Sequence, residues 1–423
     1  MNPNLGLRDL FSYSLLALPI AFASFPIYIL APDFYASQYG VPLVELGLLL
    51  LFVRIIDAIS GPIFGYLSDR FSRFREISLI TAVIIFIIGF YCLFVPNENQ
   101  PFISLLVGLT LCALAYSFII INLYSLGAVW LPDQDSKLRI SSYREGMTLV
   151  GILLATILPA FLSAYFGLRL GYLVFTIIFS LLLIISAYFF IKWHSKNMKS
   201  KDDLRGKIQI KLYFNTLTKD HLFFYGVYII TALAMASTVV LVSFFVTKYL
   251  MLSRISLGLF LFIYFLSGIL SIPIWNFLSK KIGLLNAWLS AMIMLIIGFS
   301  FVFLLSSGDA VGFGLICLAT GFTLGAELVL PPAILAILVD NDKQKDLATG
   351  YFAITDFITK SSLALSSAIL LGFLSYLGFD VSSQNSEPIR LWLLYLYVLV
   401  PCGIKFFAII LLVTWKSKCI KNL

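Results

Sequence analysis

Residues 54–75 read Arg-Ile-Ile-Asp-Ala-Ile-Ser-Gly-Pro-Ile-Phe-Gly-Tyr-Leu-Ser-Asp-Arg-Phe-Ser-Arg-Phe-Arg. The first part continues an apolar run that begins near Leu43, yet it carries a base and an acid, Arg54 and Asp57. They stand three residues apart and so share one face of a helix. The second part stops on Asp69, Arg70, Arg73 and Arg75, a charged turn that ends the apolar run. An ionised side chain at bilayer depth costs about 2.5–3.5 kcal/mol on insertion scales and persists where it meets a partner or water. The stretch therefore reads as a membrane-spanning helix with a polar face, closed by a charged turn at one membrane surface.

The remainder is of the same kind. Of 423 residues, 61% are hydrophobic and 12% charged, about half the charge of a soluble protein. So few charges cannot cover a soluble globule, and no stretch is polar enough to form a catalytic domain, so an enzyme is not expected. Two histidines, His194 and His221, and five scattered cysteines offer no metal-ligand spacing. No phosphate-binding loop is present, so no cofactor or metal is expected. In lipid a spanning segment is a helix of about 20 residues. Twelve can be read, at 11–35, 43–67, 77–95, 102–130, 142–166, 171–191, 222–248, 256–278, 284–305, 311–339, 349–376 and 389–415. The expected fold is an all-α membrane protein of twelve transmembrane helices.

The basic residues set the topology. With the N-terminus in the cytoplasm, 21 of the 29 Lys and Arg fall in inner loops and 4 in outer ones. This is a strong positive-inside bias with both termini cytoplasmic, and it turns the net charge of +8 toward anionic membrane lipid rather than nucleic acid. Eight of the bases lie in 192–219, which splits the helices six and six. The expected organisation is an N-terminal six-helix bundle over 1–191, a basic cytoplasmic linker over 192–219 and a C-terminal six-helix bundle over 220–423. The halves also echo each other: Gly61-Pro-Ile-Phe-Gly-Tyr-Leu-Ser-Asp-Arg-Phe71 aligns with Ile272-Pro-Ile-Trp-Asn-Phe-Leu-Ser-Lys-Lys-Ile282 at an offset of 211. Parallel six-helix repeats around a midplane site are a transporter architecture.

Gly65-Tyr-Leu-Ser-Asp-Arg-Phe-Ser-Arg-Phe-Arg75 resembles the signature of the major facilitator superfamily between helices 2 and 3. Arg54-Ile-Ile-Asp-Ala-Ile-Ser-Gly-Pro62 resembles the helix-2 motif of the glycoside–pentoside–hexuronide cation symporter (melibiose carrier-like) family. The resemblance extends to Ser12-Tyr13, Tyr124-Ser125-Leu126, Arg144, Leu338-Val339-Asp340 and Lys360. It implies the two-bundle fold of that superfamily and alternating access. It also implies a coupling site around Asp57, Arg54 and Lys360, substrate contact by Arg144, and a cytoplasmic gate of Asp69, Arg70 and Arg73. Three positions depart from the pattern: Gly61, Ala21 and Ile120 stand where the family carries aspartates.

Further candidates come from the residues themselves. Asp356 and Lys360 are four apart, acid first, the favourable order on a helix. Glu327 precedes Pro331-Pro332, a pair expected to break its helix, and is a second candidate proton carrier. Arg144 and Glu145 are expected to open helix 5 as substrate-binding charges. Tyr116 and Tyr124 are eight apart and expected to share a face suited to stacking on a sugar ring or to lining an apolar tunnel; Asn122, six from Tyr116 and two from Tyr124, is a further candidate that cannot face one cavity equally with both. Lys405 is expected to snorkel to the surface. The expectation is a monomeric proton-coupled symporter of a sugar- or glycoside-like solute in a bacterial inner membrane, H⁺ being preferred to Na⁺ because one carboxylate supplies too few oxygens for a metal ion. A carrier of lysolipid or another amphipathic solute, an exporter, and a non-transporting scaffold are the alternatives.

Overall fold

The computed structural model describes residues 6–198, 217–341, 345–379 and 386–418. Among the described residues every regular element is helical. The first span departs from the single helix expected at 11–35. It is divided into α1 (Leu7–Ser14), α2 (Ala17–Phe25), a π-helical turn (Pro26–Leu30) and α3 (Ala31–Tyr39). Pro19, Pro26 and Pro32 stand in the first turns of these segments; the backbone stays right-handed helical through Pro26 and Leu30, and the N–H groups that Pro26 and Pro32 lack interrupt the regular hydrogen-bond ladder there.

Then come α4 (Leu43–Arg70), α5 (Arg75–Phe94), α6 (Pro101–Trp130), α7 (Gln134–Phe166) and α8 (Leu168–Asn197). The second half holds α9 (Lys219–Phe244), extended by a π-helical turn (Phe245–Tyr249), then α10 (Arg254–Ile282), α11 (Leu284–Ser300), α12 (Ala310–Asn341), α13 (Ala348–Tyr376) and α14 (Glu387–Lys418). Among the described residues eleven helical stretches are long and apolar enough to cross a membrane, and the segmented first span lies where the remaining one of the twelve is expected. Of the expected linker, 199–216 lies outside the described residues; α8 carries the chain to Asn197.

Two local expectations change. α7 begins at Gln134, capped by Asp133, whose carboxylate accepts the N–H of Ser136 at 2.9 Å. Arg144 and Glu145 therefore sit well inside the helix rather than at its start. α12 runs unbroken through Pro331 and Pro332. Its flanks are tightly enclosed, with Val329, Leu330, Ala333, Ile334 and Leu335 at most 1% exposed, and this packing holds the helix on course where two amides are missing. The offset of 211 recurs in the element bounds: α4 and α10, and α6 and α12, begin and end about that far apart.

The described chain forms two compact units, one of Met1–Thr216 with Val339–Phe357, the other of Leu217–Leu338 with Ile358–Leu423. In the first, α5 and α6 approach through small residues. A Cβ on Gly108 would fall 2.9 Å from the Leu93 nitrogen and 3.0 Å from the Gly89 carbonyl oxygen, a spacing only glycine permits. Phe22, Phe86, Phe90, Phe175 and Phe179 fill the interior behind this contact. In the second, Phe245 stacks on Tyr397 at 4.2 Å between ring centroids. α10 is fastened to α12 by Ser267, donating to the Leu318 carbonyl at 2.7 Å, and by Trp275 Nε1, donating to that of Phe322 at 2.8 Å.

Gly108→Ala forces backbone apart and is expected to destabilise by about 1–3 kcal/mol, whereas Gly258→Ala, with nothing within 4 Å of its added Cβ, leaves stability unchanged or raised. Thermal unfolding in detergent compares them; equal midpoints would contradict the close α5–α6 approach.

Candidate functional site

A polar seam runs through the first unit where α4, α6 and the start of α13 meet. Asp57 of α4 is 4% exposed, and its Oδ1 accepts a 2.5 Å hydrogen bond from Ser117 of α6. Charge-assisted bonds of this length are among the stronger ones. One turn on, Gly61 leaves room for Asp356 of α13: a Cβ there would lie 3.1 Å from Asp356 Oδ2. Tyr116 of α6, half-buried, lies within electrostatic reach of both Asp57 and Asp356. Further along, Ser68 donates to Asn122 Oδ1, Asn122 Nδ2 donates to the Phe118 carbonyl at 2.9 Å, and Thr349 donates to Ser125 Oγ at 3.1 Å. Gly65 lets α13 close in, since its Cβ would fall 2.6 Å from that of Ala353. Arg54 is half-buried one turn before Asp57, and Lys360, also half-buried, lies on the part of α13 that belongs to the second unit.

Beside this seam is a closed network around Arg144, which is 2% exposed. Its guanidinium lies 3.5 Å from the centroid of the Tyr124 ring and donates through Nε to Glu145 Oε1 at 2.9 Å. Nη1 reaches the Tyr13 hydroxyl at 3.4 Å and Nη2 the Ser141 hydroxyl at 3.3 Å. The Tyr124 hydroxyl donates to the same Glu145 oxygen at 2.7 Å. Tyr13 donates to the Leu123 carbonyl at 2.7 Å, fastening α1 to α6. Every arm of the fork is engaged, so in this conformation Arg144 orients Tyr124 and Glu145. Tyr116 and Tyr124, expected on one face, belong to separate groups, with Tyr116 by the acids and Tyr124 under Arg144. Ser117 and Tyr13 are sites that spacing alone did not single out.

The turn after α4 shows a different base from the expected one. Asp69 is fully buried, and its two oxygens accept the backbone N–H groups of Thr349 at 3.3 Å and Gly350 at 2.9 Å. A carboxylate at the positive end of α13 is favourable. The base beside it is Arg75, at 3.6 Å, which also donates to the Ser68 carbonyl at 3.1 Å. The short 3₁₀ turn Ser72–Phe74 brings Arg75 back under the end of α4. It leaves Arg70 exposed against the Tyr66 hydroxyl, and Arg73 exposed as well. Nearby, Asp340 bridges two ammonium groups, Lys137 at 2.8 Å and Lys345 at 2.5 Å.

In the second unit Lys405 does not snorkel. Its ammonium donates to Glu327 Oε2 at 2.8 Å, and both side chains are at most 2% exposed. Truncating either would leave a buried charge uncompensated, the costly half of a buried pair. An acid on α12 at the same level draws the ammonium inward. Among the described residues no group of three or more His, Cys, Asp or Glu is arranged to hold a metal ion.

Residues 10–417 match the family described as MFS/sugar transport protein. The isoprimeverose transporter of Lactiplantibacillus pentosus is 25% identical over 404 residues, 89% of this chain and 81% of that protein. Inner membrane symporter YicJ of Escherichia coli (strain K12) is 30% identical over 131 residues, 30% of this chain and only 28% of that protein. A bacterial homologue of the iron transporter ferroportin, in an outward-facing state, shares the fold at a TM-score of 0.70 and 16% identity, over 97% of this chain and 99% of that one. The E. coli fucose:proton symporter FucP shares it at 0.65 and 13%, over 95% and 98%. With a family match running nearly from end to end on twelve spans of this arrangement, the chain belongs to the MFS/sugar transport protein family, a family of multi-pass membrane transporters.

Proposed function

We propose that the protein is a secondary active symporter that takes up a sugar-like solute with protons, Asp57 being the acid that carries the coupled proton. The observation that carries this reading is the Asp57 carboxylate, buried in α4 and held by the Ser117 hydroxyl. A lone proton needs one such oxygen, whereas Na⁺ needs several, and Gly61 brings no side-chain oxygen to the next turn of α4. Asp356, on the far side of Gly61, shares the electrostatic surroundings of Tyr116 with Asp57. Loss of a proton from Asp57 changes the charge of the seam and so biases which conformation is favoured. Glu327 is the weaker carrier, because the Lys405 ammonium already occupies the place a proton or cation would take.

The names of the relatives, a symporter and an isoprimeverose transporter, support a sugar-like cargo. The bias of basic residues supports a bacterial inner-membrane location with both termini in the cytoplasm. In that orientation Asp69 on the first turn of α13, together with Lys137–Asp340–Lys345, forms the inner latch. Arg144 acts by presenting Tyr124 to the solute.

Proteoliposomes with separate pH and Na⁺ gradients test the coupling. The expected result is accumulation driven by the pH gradient, lost by at least about tenfold in Asp57→Asn while downhill exchange persists. Uptake driven by Na⁺ alone would overturn the proton assignment, and full accumulation by Asp57→Asn would remove Asp57 from it.

Arg144→Lys keeps the charge but loses the planar stack and the fork. It is expected to weaken solute binding by about tenfold or more in a titration of purified protein that still unfolds cooperatively. Unchanged affinity would contradict the orienting role of Arg144.

A further inference from the structure

The second unit carries a polar group that the coupling scheme does not use. Glu327 and Lys405 are paired in its interior, on α12 and α14, with side chains 2% and 1% exposed. Only one carboxylate oxygen is engaged: Oε2 accepts from Lys405, while Oε1 is buried and has no hydrogen-bond partner among the described residues. Among the described residues Lys405 makes one hydrogen bond, and an ammonium has three protons to give. The main chain adds acceptors at the same level. The carbonyls of Glu327 and Leu328 would accept the amides of residues 331 and 332, and both are prolines without an N–H. Tyr264 of α10 lies within electrostatic reach of Glu327. Its helix is pressed against α12 at Gly321 and Gly325, which pass over the Tyr264 carbonyl and Ser271 respectively.

The place in the repeat is informative. Glu327 stands 211 residues after Tyr116, the offset that also separates Pro62 from Pro273. Tyr116 of α6, the neighbour of the Ser117 that bonds Asp57, lies within electrostatic reach of Asp57 and Asp356. In its own unit Glu327 therefore holds the position that, in the first unit, adjoins the acids. Structural stability is a poor reason to keep an ion pair there, since well-packed apolar residues of the same volume serve as well or better.

A buried carboxylate oxygen without a hydrogen-bond donor, beside an ammonium with spare protons, is the complement of a hydroxyl group, which both donates and accepts, and of two adjacent hydroxyls above all. We propose that Glu327 and Lys405 form a hydroxyl-binding clamp for the polyol face of the transported solute. A sugar hydroxyl donates to Glu327 Oε1 and accepts from Lys405 Nζ. The proposal rests on the sugar-like cargo argued above and assigns the second unit its part in recognising it. No proton is transferred and no covalent bond changes.

Binding of isoprimeverose, D-xylose and their monodeoxy analogues is measured by titration on wild-type protein, Glu327→Gln, Lys405→Met and the volume-matched apolar double variant Glu327→Leu/Lys405→Met. Thermal unfolding is followed in parallel. In the wild type, removal of one particular hydroxyl is expected to weaken binding by about 10–100-fold. In either single variant the parent sugar is expected to bind as weakly as that deoxy analogue, and the penalty for removing the hydroxyl disappears. The double variant folds with a midpoint near that of wild type but does not recover affinity. Deoxy penalties that are the same in all proteins, or full affinity in the double variant, overturn the clamp while leaving the transport reading intact. A wild-type protein that binds none of these sugars overturns the sugar reading and the clamp together.

Discussion

A charged side chain inside an apolar helix bundle has to find its counter-group within the protein, because the lipid offers none. The helices here are arranged so that it does. Asp57 meets the Ser117 hydroxyl, Arg144 meets Glu145 and the Tyr124 ring, Asp69 meets the first amides of α13, and Glu327 meets Lys405. Each pairing joins different helices or fixes a side chain that does. Glycines set the distances at which they form: Gly61 and Gly65 on α4 admit Asp356 and Ala353, and Gly321 and Gly325 admit α10 to α12. Dispersion between close backbones and satisfaction of buried charge thus act on the same contacts.

The two units share a template and differ in chemistry. α4 and α10 both run through an internal proline, Pro62 and Pro273. Yet the position of Asp57 corresponds at the 211-residue offset to Gly268, and that of Tyr116 to Glu327. An acid on the second helix of one unit and an acid on the fourth helix of the other are a difference that a duplicated fold permits. The first sits with a hydroxyl and a tyrosine. The second sits against an ammonium that holds a fixed charge in place.

The spans were legible because hydropathy is a property of the segment alone; α5 at Arg75–Phe94 lies within two residues of the reading 77–95. The duplication was legible for a similar reason, since Pro-Ile before a charged turn is a local pattern. What failed depended on spatial partners. Lys405 read as a surface residue because nothing near it in sequence is acidic, and Glu327 lies 78 residues away. Arg70 and Arg73 follow Asp69 most closely in sequence, but the 3₁₀ turn directs Arg75 inward instead. Pro331-Pro332 read as a break, and the enclosure of α12 by neighbouring side chains kept it whole. Tyr116 and Tyr124 share a helical period, but Arg144 reaches Tyr124 and the acids lie near Tyr116. Of the candidate site, the acids and bases were therefore visible as residues, whereas their pairings required the fold.

If buried charge is retained because it couples cargo to protons, solute movement must itself move protons. The direct measurement is the external pH of lightly buffered, Na⁺-free proteoliposomes when isoprimeverose or D-xylose is added without any imposed pH gradient. The account predicts an immediate alkalinisation that scales with solute uptake, is abolished by a protonophore and is absent in Asp57→Asn. Solute uptake with no change in pH, or with a change that Asp57→Asn preserves, would contradict it.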